Sequence, residues 1–318
     1  MFPVKVAHNL AATSEEKRFL VENLWAQEAV GIIGGEPKCC KSFMALSLGV
    51  SVASGLPCLG KFSISTPGPV LLYPAEDPLS TVRSRLAGIC ASQGIKFSSL
   101  PLYVITAPRI QLDVQADRDQ LRQVIERYKP KLLILDPFVR MHSIDENASG
   151  EVSALLRHLR YLQRTYKIAI ALVHHAKKGA SLKRPGQALR GSSDFHAWGD
   201  SNLYLARTSS GITLTVEHRS AASVPPLLLE LKSNADQVFL DLIMNSDSKG
   251  APIATLNPQQ TILALLGSSN SPMRISDLRR QVGLRNETVS STIADLLSKG
   301  MVLQSNVGLT IANKHSSS

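Results

Sequence analysis

The chain has 318 residues, of which 44% are hydrophobic and 19% charged, enough apolar material for one large core or two ordinary ones. That balance excludes wholesale disorder. No apolar run reaches the roughly 18 residues a membrane span needs, and the start has no long apolar leader. The expectation is a cytoplasmic protein with no membrane partner. A formal net charge of +10 favours an anionic partner such as nucleotide, nucleic acid or acidic lipid. The four cysteines, Cys39, Cys40, Cys58 and Cys90, form no CxxC pair and suggest neither a metal cage nor a disulfide framework.

Residues 1–25 read as a lead-in. Ser14-Glu15-Glu16-Lys17 resembles a helix start, followed by Phe19, Leu20 and Leu24 at helical spacing. A strand-like run over 29–33 then ends in glycines, and a helical pattern covers 42–54 until Gly55-Leu56-Pro57 stops it. Strands are predicted over 70–73, 102–105, 131–136 and 168–174, alternating with helices over 79–91, 117–128 and 151–166. Alternation of this kind implies a mostly parallel sheet with helices on both faces. Four late strands, over 201–205, 211–218, 227–231 and 238–243, are short, turn-bounded and expected to be antiparallel. Residues 26–245 are taken as one α/β core and 246–257 as a linker. Residues 258–314 carry helices over 258–266, 275–282 and 287–298, then strands over 302–304 and 309–311, the order of a winged helix.

The sharpest motif is Gly35-Glu36-Pro37-Lys38-Cys39-Cys40-Lys41-Ser42, which leaves a strand and opens a helix as a phosphate loop must. Its amides, together with that of Phe43, would cradle phosphates. Lys41 would reach the β- and γ-phosphates, and Ser42 would bind Mg²⁺. Cys40 stands where the pattern asks for glycine, in a backbone conformation that costs a side chain about 1 kcal/mol or more. Beside Lys38, Lys41 and a helix N-terminus, its thiol is expected to have a lowered pKa. Cys40 is then either a redox-sensitive group or simply a tolerated small residue.

Asp136 ends an apolar strand, where a second Mg²⁺-holding carboxylate belongs. Glu76 follows the strand over 70–73 and is the candidate general base. Asp77 either supports it or caps the next helix. His174 and His175 end the strand over 168–174, and either one could sense the γ-phosphate. Arg190 lies in a loop of glycine and serine and could act as an arginine finger, although composition alone makes it a solvated arginine.

Taken together, segments 35–42, 55–57, 69–77, 133–142, 173–177 and 190–193 follow the order found in RepA-type ATPases, and about residues 20–245 resemble that family. These are RecA-like, hexameric replicative helicases of plasmids, with relatives in phages and mobile elements. The resemblance implies ATP and Mg²⁺ as cofactors, DNA as partner and a homo-oligomeric, ring-shaped assembly. It further implies Lys41 and Ser42 on the phosphates and metal, Glu76 as base, Asp136 on the metal, and His174 or His175 as sensor. Arg190 would be the trans-acting finger, with Arg219 matched to a second basic residue that reaches a neighbour's nucleotide. Cys40 and the added C-terminal module are departures. The alternative is a nucleotide-gated DNA-binding switch, or a regulatory or recombination accessory protein, with slow or no turnover. In the C-terminal module, with six basic and three acidic residues, Arg285, Asn286, Thr288, Ser291, Thr292 and Lys299 could meet DNA, or the module could bind protein.

Overall fold

The computed structural model describes residues 2–9, 18–176, 194–208, 211–234, 237–243, 258–268, 272–275, 277–278, 286–305 and 308–312. The chain divides into two compact units, residues 1–244 and 245–318.

The first unit opens with a short antiparallel pair, β1 (Phe19–Val21) and β2 (Trp25–Ala26). The helical spacing of Phe19, Leu20 and Leu24 is not used as a helix. Leu20, Val21, Leu24 and Trp25 are all fully buried, whereas a helix would turn some of them to solvent. Asn23, with φ 55°, makes the turn instead, and the Trp25 indole donates to the Ala29 carbonyl at 3.2 Å.

The main sheet then begins with β3 (Val30–Gly35), β4 (Val70–Pro74), β5 (Leu102–Val104), β6 (Leu132–Asp136) and β7 (Ala169–His175). Between them lie α1 (Lys41–Ser54), α2 (Leu79–Ser92), α3 (Gln115–Tyr128) and α4 (Ser149–Tyr166). A short α5 (Asp194–Trp198) precedes β8 (Ser201–Thr208), β9 (Gly211–His218), β10 (Leu227–Asn234) and β11 (Gln237–Leu242). The sheet order is β11-β10-β9-β8-β3-β7-β6-β4-β5. Pairings from β8 to β5 are parallel, and those from β8 through β11 are antiparallel, matching both expectations from the sequence.

Side-chain alternation with period two separates the cores of the two faces. Ile33, Val70, Leu72, Leu132, Ile134, Ala171 and Val173 pack with α1 and α2. Val30, Ile32, Leu71, Tyr73, Leu133, Leu135, Ile170 and Leu172 pack with α3, α4 and α5. The strands therefore read as continuous apolar runs because both faces are covered. Every strand from β3 to β7 aims its C-terminal end at the same edge.

The second unit contains α6 (Pro258–Ser268), α7 (Asn286–Ser298) and a hairpin of β12 (Val302–Ser305) with β13 (Gly308–Ile311). It has its own small core, including Ile262, Leu266, Val289, Ile293, Leu296, Val302 and Leu309. The helix expected over 275–282 lies largely outside the described residues. Among the described residues no helix is long and apolar enough to cross a membrane.

Candidate nucleotide-binding site

The phosphate-loop segment joins β3 to α1 at the C-terminal edge of the sheet. Its first glycine is obligatory. A Cβ on Gly35 would lie 2.2 Å from the Leu205 carbonyl oxygen of β8 and 2.6 Å from Cys39 Sγ, and φ there is 153°. Lys38 and Cys40 both adopt left-handed conformations, with φ 64° and 66°. Cys40 therefore occupies the conformation for which the sequence pattern wants glycine, at a cost of about 1–2 kcal/mol. It is the N-cap residue of α1 and makes no side-chain cap bond, so the helix begins with uncapped amides at its positive end.

Lys41 is 6% exposed. Its ammonium donates to the carbonyls of Gly35 at 3.0 Å and Glu36 at 2.7 Å, both in its own loop. Burial lowers its pKa, opposed by the thiols of Cys39 and Cys40 and by Asp136. Asp136, at the end of β6, is pushed up to about 6. Burial is the main cause and Asp77 adds to it. A hydrogen bond from the Ser42 hydroxyl, with Lys41 and Arg85, works in the opposite direction.

Around these groups lies a cleft of about 350 Å³, lined by the loop, by Ser42 and Phe43, and by side chains from the ends of the neighbouring strands and from α2. Glu76 lines it and pairs with Arg140 at 3.3 Å. Asp77 does not cap α2, whose N-cap is Pro78. It pairs instead with Arg85 at 2.5 Å, and that guanidinium lies over the Phe43 ring at 5.1 Å. His175 faces the cleft with a pKa lowered by burial, Lys41 and His174, against Glu76 and Glu146. The structure thus gathers Gly35–Phe43, Glu76, Asp136 and His175 at one edge.

Three expectations need correction. His174 does not face the cleft: strand alternation turns it to the opposite side of β7, where it is 1% exposed and stacked on Phe195. The Cys40 thiol is raised, not lowered, because burial outweighs Arg207, Arg85 and Lys41. Thr292 is not an exposed contact; it shares the buried stripe of α7 with Val289, Ile293 and Leu296. Lys299 remains half exposed while pairing with Asp295 at 2.8 Å. Ser291 is exposed. Arg190, Arg285 and the side chains of Asn286 and Thr288 lie outside the described residues. Arg219, at the far end of β9, pairs with Asp200 at 3.1 Å, on the opposite edge of the sheet from its own loop.

Two charged cleft residues went unnoticed in the sequence. Arg207, from the end of β8, lines the cleft and donates to the Lys38 carbonyl at 3.1 Å. Arg85 reaches it from α2. Only Arg85 had a local signal, eight residues after Asp77. Arg207 arrives through the pairing of β8 with β3, which joins segments far apart in the chain.

Over residues 1–181 the sequence matches the AAA domain family. The chain belongs to that family. Its fold is RecA-like. One solved ATPase domain superposes with a TM-score of 0.52 at 14% identity, covering 67% of this chain and 85% of that one. A DnaB-like replicative helicase, described with its interactions with primase, gives 0.53 at 15% identity over 67% of this chain and 57% of its own. At these identities the likeness concerns the fold. For an AAA domain with this cleft, Asp136 carries a stability cost. The folded protein binds its proton more tightly than the unfolded chain does, between 3.8 and about 6. Its contribution therefore becomes less favourable as pH rises through that window. Asp136→Asn is expected to melt higher than wild type at pH 7 and to show a flatter dependence on pH between about 4 and 6, as read by thermal denaturation.

Proposed function

We infer that this chain is an ATP-binding and ATP-hydrolysing protein that acts on DNA as a homo-oligomer, in the manner of RepA-like helicases and translocases. The observation that carries the reading is the cleft itself. A buried lysine bonded to loop carbonyls, a buried strand-end carboxylate and an exposed glutamate converge on the uncapped start of α1.

Mg²⁺ fits this donor set. Asp136 is buried and driven towards its protonated form, which an adjacent cation would reverse, and Ser42 already bonds to it. No group of three or more His, Cys, Asp or Glu among the described residues could hold a metal alone, so Ser42 and Asp136 would share the ion with nucleotide oxygens. When bound, it neutralises charge on the β- and γ-phosphates. The loop amides over 35–43, other than at Pro37, which carries no N–H, hold the triphosphate, and Lys41 exchanges a carbonyl for a phosphate oxygen. Glu76 orients a water and takes its proton. His175 reads the γ-phosphate. Arg190 and Arg219 serve a neighbouring subunit of a ring, hexameric as in the RepA-type family. The second unit works as a winged helix, with Arg285, Asn286, Thr288, Ser291 and Lys299 towards DNA.

One observation favours a second reading, a nucleotide-gated DNA-binding switch with slow turnover: Cys40 holds a left-handed conformation at the heart of the loop. Steady-state ATP hydrolysis with Mg²⁺, with and without single-stranded DNA, separates the two. The motor reading expects DNA-stimulated turnover in wild type that Glu76→Gln abolishes. ATP binding without turnover, restored by Cys40→Gly, supports the switch. Absence of ATP binding refutes both.

A further inference from the structure

The segment joining β6 to α4 leaves the cleft at Asp136 and Pro137, and its Arg140 comes back to Glu76, which lines the cleft. The Arg140 guanidinium lies 3.3 Å from Glu76 Oε1, with the two side chains 60% and 52% exposed. Two residues later the segment dives inward. His142 packs on Phe138, and its Nε2 lies 3.6 Å from Glu146 Oε1. That same oxygen lies 3.8 Å from His174 Nδ1, and the His174 ring stacks on Phe195 of α5 at 4.3 Å. The side chains of His142, Glu146 and His174 are 2%, 10% and 1% exposed. The outer side of the segment is pinned as well. Leu112 donates to the Met141 carbonyl at 2.6 Å, and the Ser143 amide donates to Asp113 at 3.1 Å.

A continuous path therefore runs from His175, which lines the cleft, through its neighbour His174, Glu146, His142 and Arg140 to Glu76. A carboxylate placed 3.6 and 3.8 Å from two buried imidazoles is a costly arrangement that favours keeping the three groups together. A carboxylate oxygen occupied by a guanidinium has fewer lone-pair sites to offer an attacking water.

We propose that Arg140 is a positioning residue that restrains Glu76 in the resting protein, and that the His142–Glu146–His174 cluster anchors the segment bearing it to the end of β7. The proposal rests on Glu76 being the general base. A change at His175 shifts β7's end, and the cluster carries that shift to Arg140.

The test is steady-state ATP hydrolysis by the full chain, with and without single-stranded DNA, in wild type, Arg140→Gln, Arg140→Lys, Glu146→Gln, the Arg140→Gln/Glu146→Gln double variant and Glu76→Gln. Arg140→Gln alters an exposed side chain and leaves the fold intact. It is expected to raise kcat without DNA roughly two- to fivefold, the range an exposed ion pair allows. KM should stay within about twofold, and the ratio of DNA-stimulated to basal rate should fall. Arg140→Lys returns kcat to the wild-type value. Glu146→Gln moves kcat in the same direction, and the double variant goes no further than Arg140→Gln alone. An Arg140→Gln kcat equal to or below wild type overturns the restraint. Full additivity in the double variant overturns the link through the cluster. Glu76→Gln that retains turnover removes the assignment of the base on which the proposal rests, a failure distinct from either of the others.

Discussion

Lys41→Ala is expected to lower kcat for ATP hydrolysis by at least roughly 10²–10³-fold, the loss that follows removal of one preorganised charged donor from a developing anion. Lys41 is the cation nearest the loop's own carbonyls, held 3.0 Å from that of Gly35 and 2.7 Å from that of Glu36. Nothing else described in the cleft has that placement: Arg85 is engaged with Asp77, and Arg207 bonds to the outer turn at Lys38. The expected effect on stability is far smaller. Burial disfavours the Lys41 ammonium, so its charged form opposes folding at all pH values below its lowered pKa, and removing the charge relieves that cost. Lys41→Met, which keeps the apolar stem, should therefore melt close to wild type while remaining as inactive as Lys41→Ala. A Lys41→Ala protein with turnover within tenfold of wild type would show that the phosphates are neutralised elsewhere.

Gly31→Ala is expected to have the largest effect on folding. A Cβ there would lie 1.6 Å from the Ser201 carbonyl oxygen and 3.0 Å from the Trp25 ring. The backbone cannot yield easily. β3 is paired on both sides, the Asp200 amide donates to the Val30 carbonyl at 2.7 Å, and the Ile32 amide donates to the Asn202 side chain at 3.0 Å. Overpacking of this kind costs about 3 kcal/mol, or a fall of roughly 6–12 °C in melting temperature for a unit of this size. Gly150→Ala is the matched control. Its Cβ meets nothing within 4 Å in the first turn of α4, and alanine there should be neutral or stabilising by up to about 1 kcal/mol. Equal melting temperatures for Gly31→Ala and Gly150→Ala would mean that β3 and β8 can separate without loss.

The order of strands and helices was legible because both faces of the sheet are covered. Continuous apolar runs such as Leu132-Leu133-Ile134-Leu135 and amphipathic helices such as α4 then carry opposite signatures. The phosphate loop was legible because its chemistry is local: eight consecutive residues turn one strand into one helix, and the need for a left-handed residue before Lys41 can be read from spacing alone. Asp136 and Glu76 followed as polar residues at the ends of apolar strands.

Tertiary structure decided whatever depends on which strands are neighbours and how deeply a group is buried. Alternation along β7 gave His175 to the cleft and His174 to the interior, because register assigns successive side chains to opposite faces. Proximity to cations suggested a lowered thiol pKa at Cys40, but desolvation, which a sequence does not display, reversed the sign. The N-terminal apolar residues formed a strand pair and not a helix, since only the packed core requires all of Leu20, Val21, Leu24 and Trp25 at once. Arg207 reaches the cleft, and Arg140 reaches Glu76, through contacts between segments distant in the chain, with β8 beside β3 and the β6–α4 connection beside Glu76. The sequence by itself determined the succession of elements and the local phosphate-binding chemistry, because both follow from short-range pattern. Burial and strand neighbours, which are long-range properties, decided which charged groups face that chemistry and in what state.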